Sequence, residues 1–221
     1  MKLQVILASA SPRRKTIFKD LNIDAEIILP NVNEDIDKEG IPPEIFTQEL
    51  ALLKGSAAAK QVVRKENTVY LVVSADTVVV LDGEIIGKPK SREHAKEMLE
   101  KFSGRTHEVV TGICLWKLDG KDDRCACAFC KTKVTFKPLT ESETEAYLDS
   151  GEYKDKAGAY GIQEKGGAFV EKIEGDYFNV VGFPTEKFFE TVNNEFSPEL
   201  YTEGGIIKIN NAKYLNSEER N

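Results

Sequence analysis

Short apolar runs alternate along this chain with stretches whose apolar positions recur at helical spacing. Residues 3–8 are mostly apolar and give way to Ser9-Ala10-Ser11-Pro12-Arg13-Arg14, after which Ile17, Phe18 and Leu21 follow a helical period. The pattern predicts strand, loop and helix, with Ser11 as N-cap and Pro12 at the first helical position, where a missing N–H costs nothing. A second short strand is expected over residues 25–29, and the acidic stretch 31–40 reads as loop. From Pro43, the spacing of Ile45, Phe46, Leu50, Leu53, Ala57 and Val62 suits one long amphipathic helix that carries Lys54, with Gly55 as a mild weakness.

The apolar run 69–73 is expected to end as a strand at Ser74-Ala75-Asp76-Thr77, and residues 78–86 read as a hairpin turned at Asp82-Gly83 and closed by Gly87-Lys88-Pro89. A helix capped by Ser91 should run to Phe102. Two long strands, 108–118 and 125–136, are joined by a charged turn at Asp119-Gly120, and a capped helix is expected over 140–150. A glycine-rich segment, 157–167, leads to short strands near Phe169 and Phe178, and Pro184 opens the last helix. These elements predict an α/β fold: a mixed sheet with helices on its faces. Residues 1–196 are expected to form one catalytic domain, and 197–221 a polar extension that is partly disordered.

A length of 221 residues with 41% hydrophobic content suits one α/β domain, or two small lobes sharing a cleft. The formal net charge of −7 argues against binding a nucleic-acid polymer, since such proteins carry a basic stripe. A small anionic substrate would need a local cluster of Lys and Arg. The N-terminus lacks the order of a signal peptide and no window holds eighteen apolar residues, so the expectation is a cytoplasmic protein without a membrane partner. Cys125, Cys127 and Cys130 invite comparison with a zinc site. With Cys114 alone elsewhere and His94 and His107 the only histidines, a strand that sends Cys125 and Cys127 to one face and Cys130 to the other is the better reading, and the thiols are expected reduced.

Four segments carry candidate chemistry. The loop Ser9 to Arg14 joins a helix N-terminus to two hydroxyls and two guanidinium groups, a combination suited to phosphate, although a capped helix with two solvated arginines is the competing reading. Asp76 stands where an apolar strand is expected to end, with Thr77 beside it, and there can serve as general base or metal ligand instead of merely capping a turn. Lys54 and Lys88 are each ordinary solvated lysines when taken singly. In Asp155-Lys156-Ala157-Gly158-Ala159-Tyr160-Gly161-Ile162-Gln163, small residues let the backbone approach a flat ligand, and Gln163 can donate and accept hydrogen bonds.

These segments in this order resemble the Maf family of nucleotide pyrophosphatases. The resemblance is carried by Leu7-Ala8-Ser9-Ala10-Ser11-Pro12-Arg13-Arg14, Ser74-Ala75-Asp76-Thr77, Gly87-Lys88-Pro89, Ser103-Gly104 with His107, Asp155 to Gln163, and Asn179-Val180-Val181-Gly182-Phe183-Pro184. It implies a strongly twisted sheet with two lobes around a central cleft, a divalent cation (Mg, Mn or Co), a homodimer, and cleavage of dTTP or UTP to the monophosphate and pyrophosphate. By the same resemblance Asp76 is the proton acceptor and a metal ligand, and Glu34 an acidic metal-side residue. Arg13, Thr77 and Gln163 are specificity positions that set dTTP and UTP apart from 7-methyl-GTP; Ser9, Arg14, Lys54 and Lys88 lie on the phosphate side. A glutamine suits uracil or thymine, which presents one N–H between two carbonyls. Two departures, Gly55 in the long helix and the charged pair Glu164-Lys165, bear on base recognition more than on the reaction. The alternatives are a 7-methyl-GTP pyrophosphatase and a non-catalytic nucleotide-binding regulator of cell division.

Overall fold

A computed structural model describes residues 2–37 and 39–196; the expected C-terminal extension lies outside the described residues. The strands are β1 (Lys2–Ala8), β2 (Ala25–Ile27), β3 (Thr68–Leu81), β4 (Glu84–Ile86), β5 (Thr106–Leu118), β6 (Arg124–Phe136) and β7 (Val170–Glu174). The helices are α1 (Pro12–Asp20), α2 (Pro43–Ala59), α3 (Arg92–Phe102), α4 (Glu141–Asp149), α5 (Tyr177–Val181) and α6 (Thr185–Phe196). Together they make the expected mixed α/β architecture: one seven-stranded sheet in the order β2-β1-β3-β5-β6-β7, with β4 paired to β3. β1 runs parallel to β2 and β3, and every other pairing is antiparallel. No helix among the described residues is long and apolar enough to cross a membrane.

Locally encoded boundaries fall where capping chemistry puts them. Ser11 caps α1 by accepting from the Arg14 N–H, with Pro12 following, and Ser91 caps α3 in the same way. Thr140 and Glu143 form a reciprocal capping box on α4. Asp82 and Gly83 turn the β3–β4 hairpin with φ of 52° and 83°, as a two-residue turn with both central residues left-handed requires.

Two expectations need correction. β3 does not end at Ser74; it runs for 14 residues in all, from Thr68 through Asp76 and Thr77 to Leu81, because β5 pairs with it without interruption from Tyr70↔Leu118 to Val80↔Glu108. What ends at Ser74 is the parallel partner β1, whose last pair is Ala8↔Ser74. Phe178 is in helix, not strand: Asp176 accepts from the Phe178 N–H and opens the five-residue α5, which Gly182 closes in the left-handed conformation.

β3 and β5 pass through four apolar clusters among the described residues, and the two largest give the molecule its two lobes. Val5, Leu7, Phe18, Leu71, Val73, Ala75, Ile113, Phe183 and Phe188 fill one. Val79, Leu81, Leu99, Phe102, Val109, Val134, Phe136, Tyr147 and Phe169 fill the other. Asp76 and Thr77 sit on β3 between Ala75 of the first core and Val79 of the second. α2 crosses the sheet closely enough to reach them because two glycines remove side chains at the contact. A Cβ at Gly55 would lie 2.6 Å from Ser74 Oγ, and one at Gly112 of β5 would overlap the Thr47–Gln48 peptide. Gly55 therefore costs some helix propensity, roughly 1 kcal/mol against alanine, but permits the close approach that sets the neighbouring Lys54 over the sheet.

Candidate active site

Where β1 ends, the chain turns into the N-terminus of α1 and presents first-turn N–H groups to a cleft between the lobes. Ser9 is buried, and its Oγ accepts from the Ser11 N–H at 3.2 Å and from Arg14 Nη1 at 3.3 Å. Arg14 donates further from Nε to the Gly182 carbonyl at 2.8 Å and from Nη2 to Thr77 Oγ1 at 3.0 Å. Thr77 Oγ1 also meets Thr111 Oγ1 at 2.9 Å. One guanidinium thus joins the β1–α1 turn, β3 and the end of α5. Burial lowers the Arg14 pKa and the Asp76 charge pulls it back up; arginine stays cationic throughout the working range.

In the same cleft, Lys54 projects from α2 with its Nζ 2.7 Å from Asp76 Oδ1 and 2.7 Å from Glu34 Oε2. The Lys54 and Asp76 side chains are 9% and 13% exposed, whereas Glu34 is 53% exposed. Two carboxylates therefore converge on a single buried ammonium, an arrangement in which loss of any one partner strands a charge. Asp76 Oδ2 takes no hydrogen bond from the described residues.

The other wall is shaped by backbone. Asp155, Gly158 and Ala159 have φ of 60°, 68° and 62°, and two of these are non-glycine residues held in the left-handed region. The Gly158 N–H donates to the Gly87 carbonyl at 3.0 Å, which ties this loop to the turn carrying Lys88. Behind it, Tyr160 packs against Phe136 at 4.8 Å between ring centroids and shares a 2.8 Å hydrogen bond with His107 Nε2. Burial pushes the Tyr160 pKa up and the His107 pKa down to about 4, so both are neutral near pH 7. Lys156 turns its ammonium to the Glu152 carbonyl at 2.7 Å and to Glu164 at 3.2 Å.

All nine residues singled out in the sequence, Ser9, Arg13, Arg14, Glu34, Lys54, Asp76, Thr77, Lys88 and Gln163, line this one cleft of about 630 Å³. They come from six segments spread over most of the chain. The side chains of Arg13, Lys88 and Gln163 make no hydrogen bond or ion pair with other described residues. The basic lining resolves the conflict between a net charge of −7 and an anionic ligand. Lys154 also faces the cleft and was not anticipated, because a lone loop lysine carries no signal in sequence. The donor set suits a hard divalent cation: Asp76 and Glu34 offer anionic oxygens to a shared position that a lysine ammonium occupies here. With two carboxylates only, and no group of three or more candidate ligands among the described residues, further ligands would come from phosphate and water, as Mg²⁺ prefers. The cysteines divide as expected, Cys125 and Cys127 beside Cys114 on the α2 face and Cys130 on the face near Asp176 and Lys187.

A mixed α/β sheet whose interlobe cleft combines a helix N-terminus, a cluster of Lys and Arg and a lysine-bridged pair of carboxylates defines a protein built to hold a phosphorylated small molecule. Residues 4–195 match the model of the Maf-like protein family, to which this chain belongs. The chain is 49% identical over 184 residues to the dTTP/UTP pyrophosphatase of Acetivibrio thermocellus, covering 82% of this chain and 90% of that protein. It is 42% identical over 198 residues to the dTTP/UTP pyrophosphatase of a Thermoanaerobacter species (90% of this chain, 100% of that one), and 43% identical over 199 residues to that of Clostridioides difficile (90% and 98%).

Proposed function

We propose that this chain hydrolyses dTTP and UTP between the α and β phosphates, releasing the nucleoside monophosphate and pyrophosphate. The observation that carries the reading is the Lys54-bridged pair Asp76 and Glu34, in one cleft with the anion-suited N-terminus of α1. In this reading Asp76 Oδ2, the oxygen that Lys54 leaves free, accepts a proton from water as that water attacks the α phosphorus, and the bond to the α–β bridging oxygen breaks. Lys54 and Lys88 offset the negative charge that grows on the departing pyrophosphate. Arg14 and Ser9 hold the β1–α1 turn in place for phosphate through their mutual hydrogen bond. Asp76 and Glu34 would hold a divalent cation (Mg, Mn or Co), which when bound supplies further neutralisation of phosphate oxygens.

Base selection falls to Gln163 in the loop and to Arg13, with Thr77 acting indirectly, since its hydroxyl is already engaged by Arg14 and Thr111. A homodimer and a cytoplasmic location complete the proposal on the strength of the family resemblance; light scattering and fractionation test them. The function itself is tested by a panel of dTTP, UTP, CTP and 7-methyl-GTP, each with Mg²⁺, Mn²⁺ or Co²⁺, read as phosphate released with added inorganic pyrophosphatase. Preferential turnover of dTTP and UTP is expected. Preference for 7-methyl-GTP, or nucleotide binding without turnover, would transfer the reading to one of the two alternatives.

A further inference from the structure

β5 and β6 pair in unbroken register from Thr106↔Thr135 to Lys117↔Arg124, and this places Cys114 directly opposite Cys127. Directly opposed residues of an antiparallel pair have Cα atoms about 4.5 or 5.5 Å apart, according to their hydrogen-bonding class. Both spacings fall within the roughly 4.4–6.8 Å that a disulfide bridges. The two thiols differ in access: Cys114 is buried beneath α2, and Cys127 is exposed. Interaction between the facing thiols lowers the Cys127 pKa and raises that of Cys114. The arrangement is that of an accessible nucleophile backed by a protonated second thiol. Cys125 also reaches Cys114, but it stands opposite Trp116, one pair along the ladder, and burial raises its pKa. Cys130 faces the other side of the sheet.

We propose that Cys114 and Cys127 are an oxidation site, a dithiol that a peroxide converts to a cross-strand disulfide between β5 and β6. The exposed Cys127 thiolate attacks one peroxide oxygen, the O–O bond breaks, and a sulfenic acid forms with release of one water after proton uptake. Cys114 then attacks the Cys127 sulfur, and the sulfenic oxygen leaves as a second water with the Cys114 proton. Two thiols lose two electrons in all and hydrogen peroxide gains them. The strands are already paired on both sides of the position, so closure needs only side-chain rotation.

The experiment uses the reduced full-length chain, treated with stoichiometric hydrogen peroxide, blocked with N-ethylmaleimide under denaturing conditions and digested with trypsin. Cleavage after Arg105, Lys117, Arg124 and Lys131 isolates Cys114 in peptide 106–117 and the other three cysteines in peptide 125–131. The expected product is these two peptides joined by a disulfide within one chain, with fragmentation assigning the bond to Cys127. Cys125→Ser and Cys130→Ser should retain the link and Cys127→Ser should lose it; all three positions are at least partly exposed, so the variants should fold. A link that persists in Cys127→Ser, a disulfide confined to peptide 125–131, or Cys127 over-oxidised while Cys114 is fully alkylated would each overturn the proposal.

Discussion

On one wall of the cleft, Lys54, Asp76, Glu34, Arg14, Ser9 and Thr77 are tied to one another and to the Gly182 carbonyl by charged and polar bonds made within the protein. On the other, Lys88 and Gln163 hold no such partners, and the shape is set by a left-handed backbone over an aromatic cluster. The difference separates two tasks. In the proposed reading, the charged groups nearest the reacting phosphate are fixed before any ligand arrives, which removes reorganisation from the reaction. Lys88 and the base-reading Gln163 are left free to bond the ligand, and only the backbone beneath them is rigid. Substitutions on the first wall should therefore cost turnover and stability together, and those on the second should change what is bound.

The largest effect is expected at Asp76. Asp76→Asn keeps the shape and removes the basic oxygen, so kcat should fall by about a hundredfold to ten-thousandfold while dTTP binding is largely kept. Retention of more than about a tenth of wild-type kcat, measured at saturating dTTP, would exclude the proposed role. Lys54→Met strands Asp76 and Glu34, and because Glu34 is half exposed the stability loss should sit near the low end for a broken buried pair, about 3 kcal/mol by urea unfolding. Lys88→Met should leave the urea midpoint unchanged and weaken dTTP binding. Equal stability losses at Lys54 and Lys88 would break the distinction between the walls.

The backing of the second wall should show in pH dependence. Folded His107 stays neutral down to a pKa of about 4, whereas in the unfolded chain it protonates near 6.5. The unfolded state thus binds the extra proton, and stability that is full above about pH 6.5 is lost as pH falls toward 4. That loss is worth roughly 3 kcal/mol. In His107→Phe this part of the slope should vanish, as read from the difference in urea midpoints between pH 7 and pH 4.5 for the two proteins. Gln163→Ala should have the smallest effect, about threefold to tenfold in the ratio of kcat/KM for dTTP over CTP, the value of one hydrogen bond, with kcat on dTTP little changed.

What the sequence revealed and what it hid divide along similar lines. Ser11-Pro12, Thr140 with Glu143, and Asp82-Gly83 act through neighbours within a few residues, so the boundaries they set could be read directly. Asp76 was misplaced at a strand end because Ser74-Ala75-Asp76-Thr77 interrupts an apolar run. Pairing with β5, from Ser74↔Cys114 to Thr77↔Thr111 and so with residues far along the chain, carries β3 through that interruption. Phe178 was misread for want of length, since a five-residue helix offers no helical period to recognise. Gly55 looked like a weakness because propensity is local, while its purpose is contact with Ser74 and Trp116. The candidate site was legible as motifs in order along the chain. The bonds that join them, Arg14 to Gly182 or Lys54 to Glu34, connect elements whose proximity only the folded sheet determines.

The central claim is that water attacks the α phosphorus in this cleft. Hydrolysis of dTTP in ¹⁸O-labelled water, with products resolved by ³¹P NMR and mass spectrometry, tests it most directly. The account predicts dTMP carrying the label on its phosphate and unlabelled pyrophosphate. Label in the pyrophosphate, or release of dTDP and inorganic phosphate, would contradict it.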